Sequence, residues 1–307
     1  MTRKNHTPPT NKLANKLTNK FQTILLLTGM AGLLGFLGWM LAGPAGVKVA
    51  MIITIMAFMF TPKLPSRMVM RSLKARPLHP STTPELYRIV ELLSRRAGLE
   101  RIPTLYLTPS RKLNAFAVGS SEDSALGITR GLLSALSTRE MAGILSHEIT
   151  HIKNRDMQVM ALSAVFGRIT NFLSVTGQIL LLISLPFAMM GKVTYSLFPL
   201  MILILAPTAS MLLYLALSRT REFEADKGAV TLLNDPHALA SALSKVEQYN
   251  TRTWQRMFFP VAVKPDQAPL LQSHPPTKER IKRLLAMAPP PRRPHFTTRG
   301  GRRIVVT

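Results

Sequence analysis

Residues 143–156, GILSHEITHIKNRD, contain the pattern His147-Glu148-x-x-His151. Apolar residues recur here at three- and four-residue steps after a capping box that begins at Ser137, so the sequence predicts an amphipathic or buried helix. On a helix, His147 and His151 lie one turn apart on the same face, with Glu148 beside them. Two imidazoles at this spacing can bind one zinc ion, and the adjacent carboxylate can accept a proton from the attacking water.

The alternative is a chance match, in which two surface histidines and an incidental glutamate have this spacing. A catalytic zinc site also needs a third protein ligand and an open position for water. Residues 218–226, SRTREFEAD, lie on a predicted helix that ends near Leu233, and they offer Glu222 and Glu224 as candidates. Because these two glutamates point about 200° apart on a helix, only one of them can face the histidines.

Glu222 is the predicted third ligand, because small residues share its helix face and would let this helix approach the zinc helix closely. Glu224 projects from the other side. Asp226, one turn after Glu222, can hold a ligand histidine through its other ring nitrogen or pair with an arginine. The alternative for this segment is the charged face of a helix next to the membrane.

The composition indicates a membrane protein. Hydrophobic residues make up 47% of the 307 residues, which is more than an ordinary soluble protein contains. The net charge is +24, but the basic residues lie at both ends and between apolar blocks, and only 7% of residues are aromatic, so no specific nucleic-acid partner is expected. Since the chain has no cysteine, zinc must be bound by nitrogen and oxygen atoms.

Two pairs of uncharged apolar segments predict two transmembrane hairpins. The first pair is 21–43 and 47–60, joined by a Gly-Pro turn, and the second is 169–191 and 193–218. Basic residues at positions 63–76 follow the first pair, so the catalytic part and both termini are predicted to lie in the cytoplasm. Equal flanking charges leave open whether the second hairpin crosses the bilayer or is re-entrant.

The predicted fold class is α+β and mostly helical, with a helix at 84–97 and a small sheet of strands at 104–107, 114–119 and 125–129. The N-terminal arm is predicted to be disordered or to form, over residues 11–20, a basic amphipathic turn or two on an anionic leaflet, and the C-terminal tail is predicted to be disordered, with contact to anionic lipid headgroups as the alternative. The predicted organisation is a basic arm (1–20), the first hairpin (21–60), the first part of the catalytic domain (61–160), the second hairpin (161–217), the second part with the third ligand (218–288), and a disordered basic tail (289–307).

The sequence resembles the HtpX family of membrane zinc metallopeptidases, which are related to the Ste24-type CAAX prenyl endopeptidases and to the mitochondrial protease OMA. The resemblance covers about residues 21 to 288 and includes the order of the motifs. The motifs that carry it are Asn114-Ala115-Phe116-Ala117, Gly131-Leu132-Leu133, Ser146-His147-Glu148-Ile149-Thr150-His151 with Asn154-Arg155-Asp156, Arg221-Glu222-Phe223-Glu224-Ala225-Asp226, and Ser273-His274-Pro275-Pro276-Thr277.

The resemblance implies a gluzincin-type domain with one catalytic Zn²⁺, in the inner membrane of a bacterium, that cleaves damaged or misassembled membrane proteins. It implies that Asn114, Ala115 and Phe116 belong to an edge strand to which an extended substrate adds, although an ordinary sheet strand is the alternative. It also implies that His274 approaches the metal and polarises the substrate carbonyl, against a structural hydrogen bond as the alternative. Arg280 is expected to pair with acidic groups near the zinc.

Zinc-dependent endopeptidase chemistry is the predicted function, with polypeptide substrates and the lipid bilayer as partners. In this interpretation His147, His151 and Glu222 hold the metal, and Glu148 takes a proton from water and delivers it to the leaving amine. The alternatives are a prenyl-protein endopeptidase and a non-proteolytic membrane adaptor with a structural metal. Oligomerisation and cleavage preference are left open by the sequence.

Overall fold

The computed structural model describes residues 9–59, 65–120, 122–191, 197–258, 276–288, 295–299 and 302–306. Its helices are α1 (Pro9–Met59), α2 (Ser66–Ser72), α3 (Pro84–Ala97), α4 (Arg130–Ala135), α5 (Thr138–Asn154), α6 (Asp156–Met189), α7 (Leu197–Leu233), α8 (Pro236–Phe258) and α9 (Thr277–Ala286). Its strands are β1 (Arg76–Pro77), β2 (Thr104–Thr108), β3 (Ala115–Gly119), β4 (Ser124–Thr129), β5 (His295–Arg299) and β6 (Arg302–Val306). The predicted mostly helical α+β class is confirmed.

The larger sheet has the strand order β1-β2-β4-β3. β2 and β4 are parallel, whereas β1 and β3 run antiparallel to their neighbours. β4 is buried along its whole length, while β3 lies at the end of the sheet and is half-buried. The three predicted strands are confirmed, with ends that differ by one residue.

α5 is the central helix of the non-membrane part, where it contacts α3, α7, α8 and β3. Leu145, Ile149 and Ile152 on this helix are at most 1% exposed and share one apolar core with side chains from the sheet, α3 and α8. Burial of each such side chain contributes about 1.5–3 kcal/mol. The helix that carries His147 and His151 is therefore fixed by core packing.

The predicted capping box is confirmed at the start of α5. The Ser137 N–H donates to Oε2 of Glu140 at 2.9 Å, and the Glu140 N–H donates to Oγ of Ser137 at 3.4 Å. From α8, the Ser241 hydroxyl and the Lys245 ammonium also donate to Glu140, at 2.6 Å and 2.7 Å. Burial raises the pKa of Glu140, but the hydrogen bonds from Lys245, Ser241 and Ser137 have the larger opposite effect and lower the pKa to about 2. Glu140 thus connects the start of α5 to α8.

We expect Glu140→Gln to destabilise the metal-free protein by about 1–2 kcal/mol at neutral pH, because Lys245 loses its counter-ion. The folded-state pKa of Glu140 lies below the ordinary value of 4.5, so the stability that its carboxylate adds is present above that pH and is lost as the pH falls toward 2. Unfolding in detergent under chelator should show a difference between wild type and variant that shrinks from about pH 6 to about pH 3. A difference that does not change with pH would contradict this role.

α7 packs closely on α5 through small residues. Ala225 and Ala229 are 0% and 1% exposed, and a Cβ added to Gly228 would overlap the side-chain methyl of Thr150. Thr150 immediately precedes His151 on α5. The close approach predicted for the helix of Glu222 therefore occurs beside the histidine pair.

We expect Gly228→Ala to push α7 away from α5 and to destabilise the protein by about 1–3 kcal/mol, the usual cost of overpacking. Thermal unfolding of the metal-free protein measures this effect, and added Thr150→Ala should restore part of the loss by removing the overlapping methyl. Gly32→Ala is the matched control, since a Cβ at Gly32 meets nothing within 4 Å. Equal stability of the two alanine variants would show that the contact has no energetic weight.

α5 ends in a sharp break and not in a gradual fraying. Arg155 has φ 57° in the left-handed region, and its N–H donates to the carbonyls of His151 and Ile152. α6 begins at the next residue, Asp156, and continues into the apolar segment. The helix with the two histidines is therefore joined to a long apolar helix through a single non-helical residue.

Three helical segments in the described part of the chain are long and apolar enough to cross a membrane. These are Lys20–Met59, Asp156–Phe187 and Phe198–Leu233. The two spans predicted before residue 60 form one element, α1, which is broken at Ala42 and Gly43, where φ of Gly43 is 60°. A Cβ added to Gly46 would overlap the carbonyl oxygen of Gly38, so the chain folds back at the predicted turn. Complete crossing of the bilayer by each predicted hairpin stays a prediction.

α6 and α7 are joined by polar contacts within their apolar halves. The Ser174 hydroxyl and the Gln178 side-chain amide both donate to the Leu203 carbonyl, the second at 3.2 Å. Hydrogen bonds of this kind link helices where lipid provides no hydrophobic driving force between them. α1 packs against both helices, so all three apolar helices form one bundle.

The described parts of both chain ends contain regular structure, where composition favours disorder or, for residues 11–20, an amphipathic helical turn. α1 begins at Pro9, within the predicted basic arm, and β5 pairs with β6 in an antiparallel hairpin within the predicted tail. Alternation of β-forming residues such as Phe296, Ile304 and Val306 is a strand signal that the prolines and arginines of the tail obscure. Residues 1–8 and 289–294 lie outside the described part.

Candidate metal centre

Three side chains from two helices converge on one point. His147 and His151 come from α5, and Glu222 comes from α7. The two Nε2 atoms are 3.1 Å apart, and they lie 3.5 Å and 3.7 Å from the nearer carboxylate oxygens of Glu222. One donor atom from each of the three residues lies within 4.8 Å of the other two, which is a geometry that can hold a metal ion.

The other nitrogen of each imidazole contacts a carboxylate. Nδ1 of His147 lies 3.1 Å from Oδ1 of Asp226, and Nδ1 of His151 lies 2.8 Å from Oδ2 of Asp156. A carboxylate at Nδ1 holds the proton there and leaves the Nε2 lone pair for a metal. Two imidazoles and one carboxylate are also the donors of known catalytic zinc sites, so these residues fit Zn²⁺.

Arg280 from α9 contacts two acidic residues of α7, Asp226 and Glu222. Its Nε and Nη2 atoms donate to the two oxygens of Asp226 at 2.8 Å and 2.7 Å, and Nη1 lies 3.0 Å from Oε2 of Glu222. The bidentate pair fixes the orientation of the Asp226 carboxylate. Arg280 therefore lies among the acidic groups that the resemblance implied.

The carboxylates make this centre favourable for positive charge. Burial lowers the pKa of His147, but hydrogen bonds to Asp226 and Glu222 raise it more, to about 9. Burial raises the pKa of Glu148, against the opposing effect of the nearby histidines. A cation is thus stabilised at the histidine pair, and a neutral Glu148 costs less than it would in water.

A cleft opens onto the donor atoms. Glu148 lines it, as do residues 114–117, which lead into and form β3 at the end of the sheet. The remaining wall combines polar and charged residues with apolar ones, and the apolar ones are Leu113, Leu132, Ile144, Met157, Met160, Leu243 and Val246. An extended peptide could therefore lie between β3 and α8 with its backbone near the three donors.

The residues of this protein that were predicted to contact the substrate differ in their structural surroundings. The backbone of Asn114 is anchored to Thr129, whose hydroxyl donates to the Asn114 carbonyl at 2.9 Å. The ring of Phe116 packs over Gly127 of β4, where any Cβ would overlap it. His274 lies outside the described residues, so its implied contact with the carbonyl stays a prediction.

The chain is similar in sequence to known peptidases. The model of peptidase family M48 matches residues 80–288. The chain is 35% identical over 289 residues to the Protease HtpX homolog of Paraburkholderia phytofirmans, covering 88% of this chain and 97% of that protein. It is 32% identical to the Protease HtpX homolog of Ralstonia pickettii, with the same coverage. The crystal structure of S. mikatae Ste24p gives a TM-score of 0.47 at 19% identity, covering 89% of this chain and 66% of that one.

The chain belongs to peptidase family M48. The resemblance to the HtpX family is thereby confirmed. M48 metallopeptidases depend on zinc, and with its three apolar helices this member is a membrane zinc protease.

Two residues of this M48 peptidase contact the site although the sequence predicts no role for them. Asp156 touches His151, and Arg221 lies 3.1 Å from Asp156 through its Nη1 atom. Both lie inside quoted motifs, but on a continuous helix Asp156 would point about 140° away from His151. Only the left-handed conformation of Arg155 turns it back.

Glu222 and Glu224 can be compared as metal ligands in the M48 peptidase. Glu224 pairs with Nη1 of Arg221 at 2.9 Å and is not in the histidine cluster. We expect Glu222→Gln to weaken zinc binding by at least about tenfold, because a neutral amide replaces an anionic donor. Glu224→Gln is the matched control. Its zinc affinity, measured by chelator competition, should stay much closer to that of wild type. The reverse order of affinities would exchange the two assignments.

Proposed function

We propose that this protein is an endopeptidase that hydrolyses peptide bonds in misfolded or damaged membrane proteins, with His147, His151 and Glu222 as its zinc ligands. The observation that carries the proposal is the convergence of two Nε2 atoms and the Glu222 carboxylate on a cleft that Glu148 also lines. Since residues 115–117 of the end strand β3 line the cleft, it suits an extended chain segment that pairs with this strand.

Glu148 is the proposed general base. When bound, zinc would act as a Lewis acid that lowers the pKa of a water molecule and polarises the scissile carbonyl. The Glu148 carboxylate accepts the proton of the attacking water and then gives it to the nitrogen of the leaving amine. Asp226 orients His147, and Arg280 orients Asp226 in turn. His274, by resemblance, is the proposed second group at the carbonyl oxygen.

The substrate is proposed to bind as an additional strand on β3. β3 pairs with β4 on one side and lies at the end of the sheet on the other, next to the cleft. Backbone pairing at a sheet edge binds extended segments without regard to most side chains. This suits an enzyme whose substrates share an unfolded state and not a sequence.

The membrane placement supports the proposed class of substrate. We infer two hairpins in a bacterial inner membrane, with the catalytic part and both termini in the cytoplasm, from the basic residues that follow residue 60. The apolar helices α6 and α7 lead directly into the residues of the metal centre. Segments of membrane proteins that emerge beside these helices would reach the cleft first.

We expect Glu148→Gln to retain zinc and to lose turnover by at least about a hundredfold, because the amide cannot accept the proton of water. Protein purified in detergent under chelator is given zinc, and cleavage of an unfolded model substrate is followed together with the metal content. Glu247→Gln, another lining glutamate, is the matched control for charge in the cleft and should keep most of the turnover.

Zinc-dependent cleavage by wild type that is absent in zinc-loaded Glu148→Gln would support the proposal. Loss of zinc from Glu148→Gln would argue that Glu148 is a ligand and not the base. Bound zinc without cleavage of any unfolded substrate by wild type would argue against the proposed class of substrate.

A further inference from the structure

The second histidine of the cluster is held by a residue that its own helix could not supply. His151 lies in the last turn of α5, and Asp156 is the first residue of α6. Oδ2 of Asp156 lies 2.8 Å from Nδ1 of His151. This contact depends on the left-handed Arg155 between the two helices, which turns the start of α6 toward the ring.

Asp156 is almost completely buried, and both of its oxygens are in contact with charged or ionisable groups. The residue is 3% exposed, and while Oδ2 faces His151, Oδ1 accepts from Nη1 of Arg221 at 3.1 Å. Its place in the first turn of α6 also favours negative charge. A buried carboxylate is costly without such partners, so its position is strongly determined.

Arg221 connects this carboxylate to the helix of the third proposed ligand. It is 8% exposed on α7, directly before Glu222, and its Nη1 is shared with Glu224 at 2.9 Å. The series His151, Asp156, Arg221 therefore joins the end of α5, the start of α6 and the middle of α7. The peptide bond between Arg221 and Glu222 places a proposed ligand beside this series.

We propose that Asp156 and Arg221 are positioning residues of the metal centre: Asp156 orients the ring of His151, and Arg221 holds Asp156 and thereby sets α7 and Glu222 against that ring. The inference rests on the proposed function, in which His151 and Glu222 bind the metal. It differs from an ordinary buried ion pair, which would stabilise the fold and leave the affinity and geometry of the metal unchanged.

The test compares Asp156→Asn, Arg221→Gln and the double variant with wild type. In Asp156→Asn the amide cannot accept from both His151 and Arg221 as the carboxylate does, so one contact is lost. Glu140→Gln is the matched control. Like Asp156, Glu140 is a buried carboxylate that is paired with a cation, but it lies at the start of α5 and does not line the cleft. The readouts are zinc affinity by chelator competition, the visible spectrum of the cobalt-substituted protein, and thermal unfolding without metal.

Asp156→Asn is expected to bind zinc about 10- to 100-fold more weakly and to alter the cobalt spectrum. Arg221→Gln should change both readouts in the same direction. The double variant should lose about as much affinity as Asp156→Asn alone and not the product of the two losses, since the residues act in series. Glu140→Gln should lower the unfolding temperature while zinc affinity and cobalt spectrum stay as in wild type.

Unchanged zinc affinity and cobalt spectrum in Asp156→Asn, with a lowered unfolding temperature, would overturn the inference and leave an ordinary ion pair. If Asp156→Asn does not fold, Arg221→Gln decides, because it retains the contact of Asp156 with His151. The variant His151→Ala distinguishes a failure of this inference from a failure of the proposed zinc ligands. Zinc affinity that falls in His151→Ala but stays at the wild-type value in Asp156→Asn and Arg221→Gln defeats this inference alone, whereas wild-type zinc affinity in His151→Ala defeats the proposed ligand set as well.

Discussion

A buried excess of carboxylates governs the centre of this protein. Asp156, Glu222 and Asp226 are 3%, 7% and 2% exposed, and each would cost several kcal/mol to bury without positive partners. Two arginines, Arg221 and Arg280, neutralise part of this charge, and the imidazoles take up more of it. Since these groups come from four helices, α5, α6, α7 and α9, the packing of all four depends on satisfying the same charges. The arrangement that satisfies them also favours a cation at the two Nε2 atoms.

The same helices connect this charged centre to the apolar bundle. α6 starts at Asp156 and α7 passes through Glu222 and Asp226, and both continue into segments that are apolar enough to cross a membrane. No flexible linker separates the metal centre from these segments within the described residues. The position of the centre relative to the bundle is therefore set by the continuity of two helices.

The sheet contributes a surface and not a chemical group. β4 is the buried strand that anchors the layer to the core, and β3 is the strand that borders the cleft. The ring of Phe116 packs over Gly127, and the neighbouring residues Ala115 and Ala117 are small. This strand therefore offers its backbone to the cleft more than large side chains. Such a border suits binding of extended chains by their peptide groups, which every unfolded polypeptide has.

Much of this protein could be predicted from local patterns. The capping box at Ser137, the helical spacing of His147 and His151, the three strands and the long uncharged segments each depend on residues close in sequence, and all are found in the structure. Helix geometry puts Glu222 and Glu224 on different faces, and the prediction of Glu222 as ligand rested on the small residues that share its face. The tail hairpin was missed, since its strand signal is weak beside the prolines and arginines.

The sequence by itself determined which groups this protein has available: two histidines one turn apart, candidate carboxylates on a second helix, and apolar helices to join them. Only the tertiary structure decided how they meet. The contact of Asp156 with His151 depends on one left-handed residue, and the contacts of Arg221 with Asp156 and of Arg280 with Asp226 join residues 65 and 54 positions apart. Contacts between distant segments are set by packing and by the cost of buried charge, which depend on the whole fold and have no signal in local spacing.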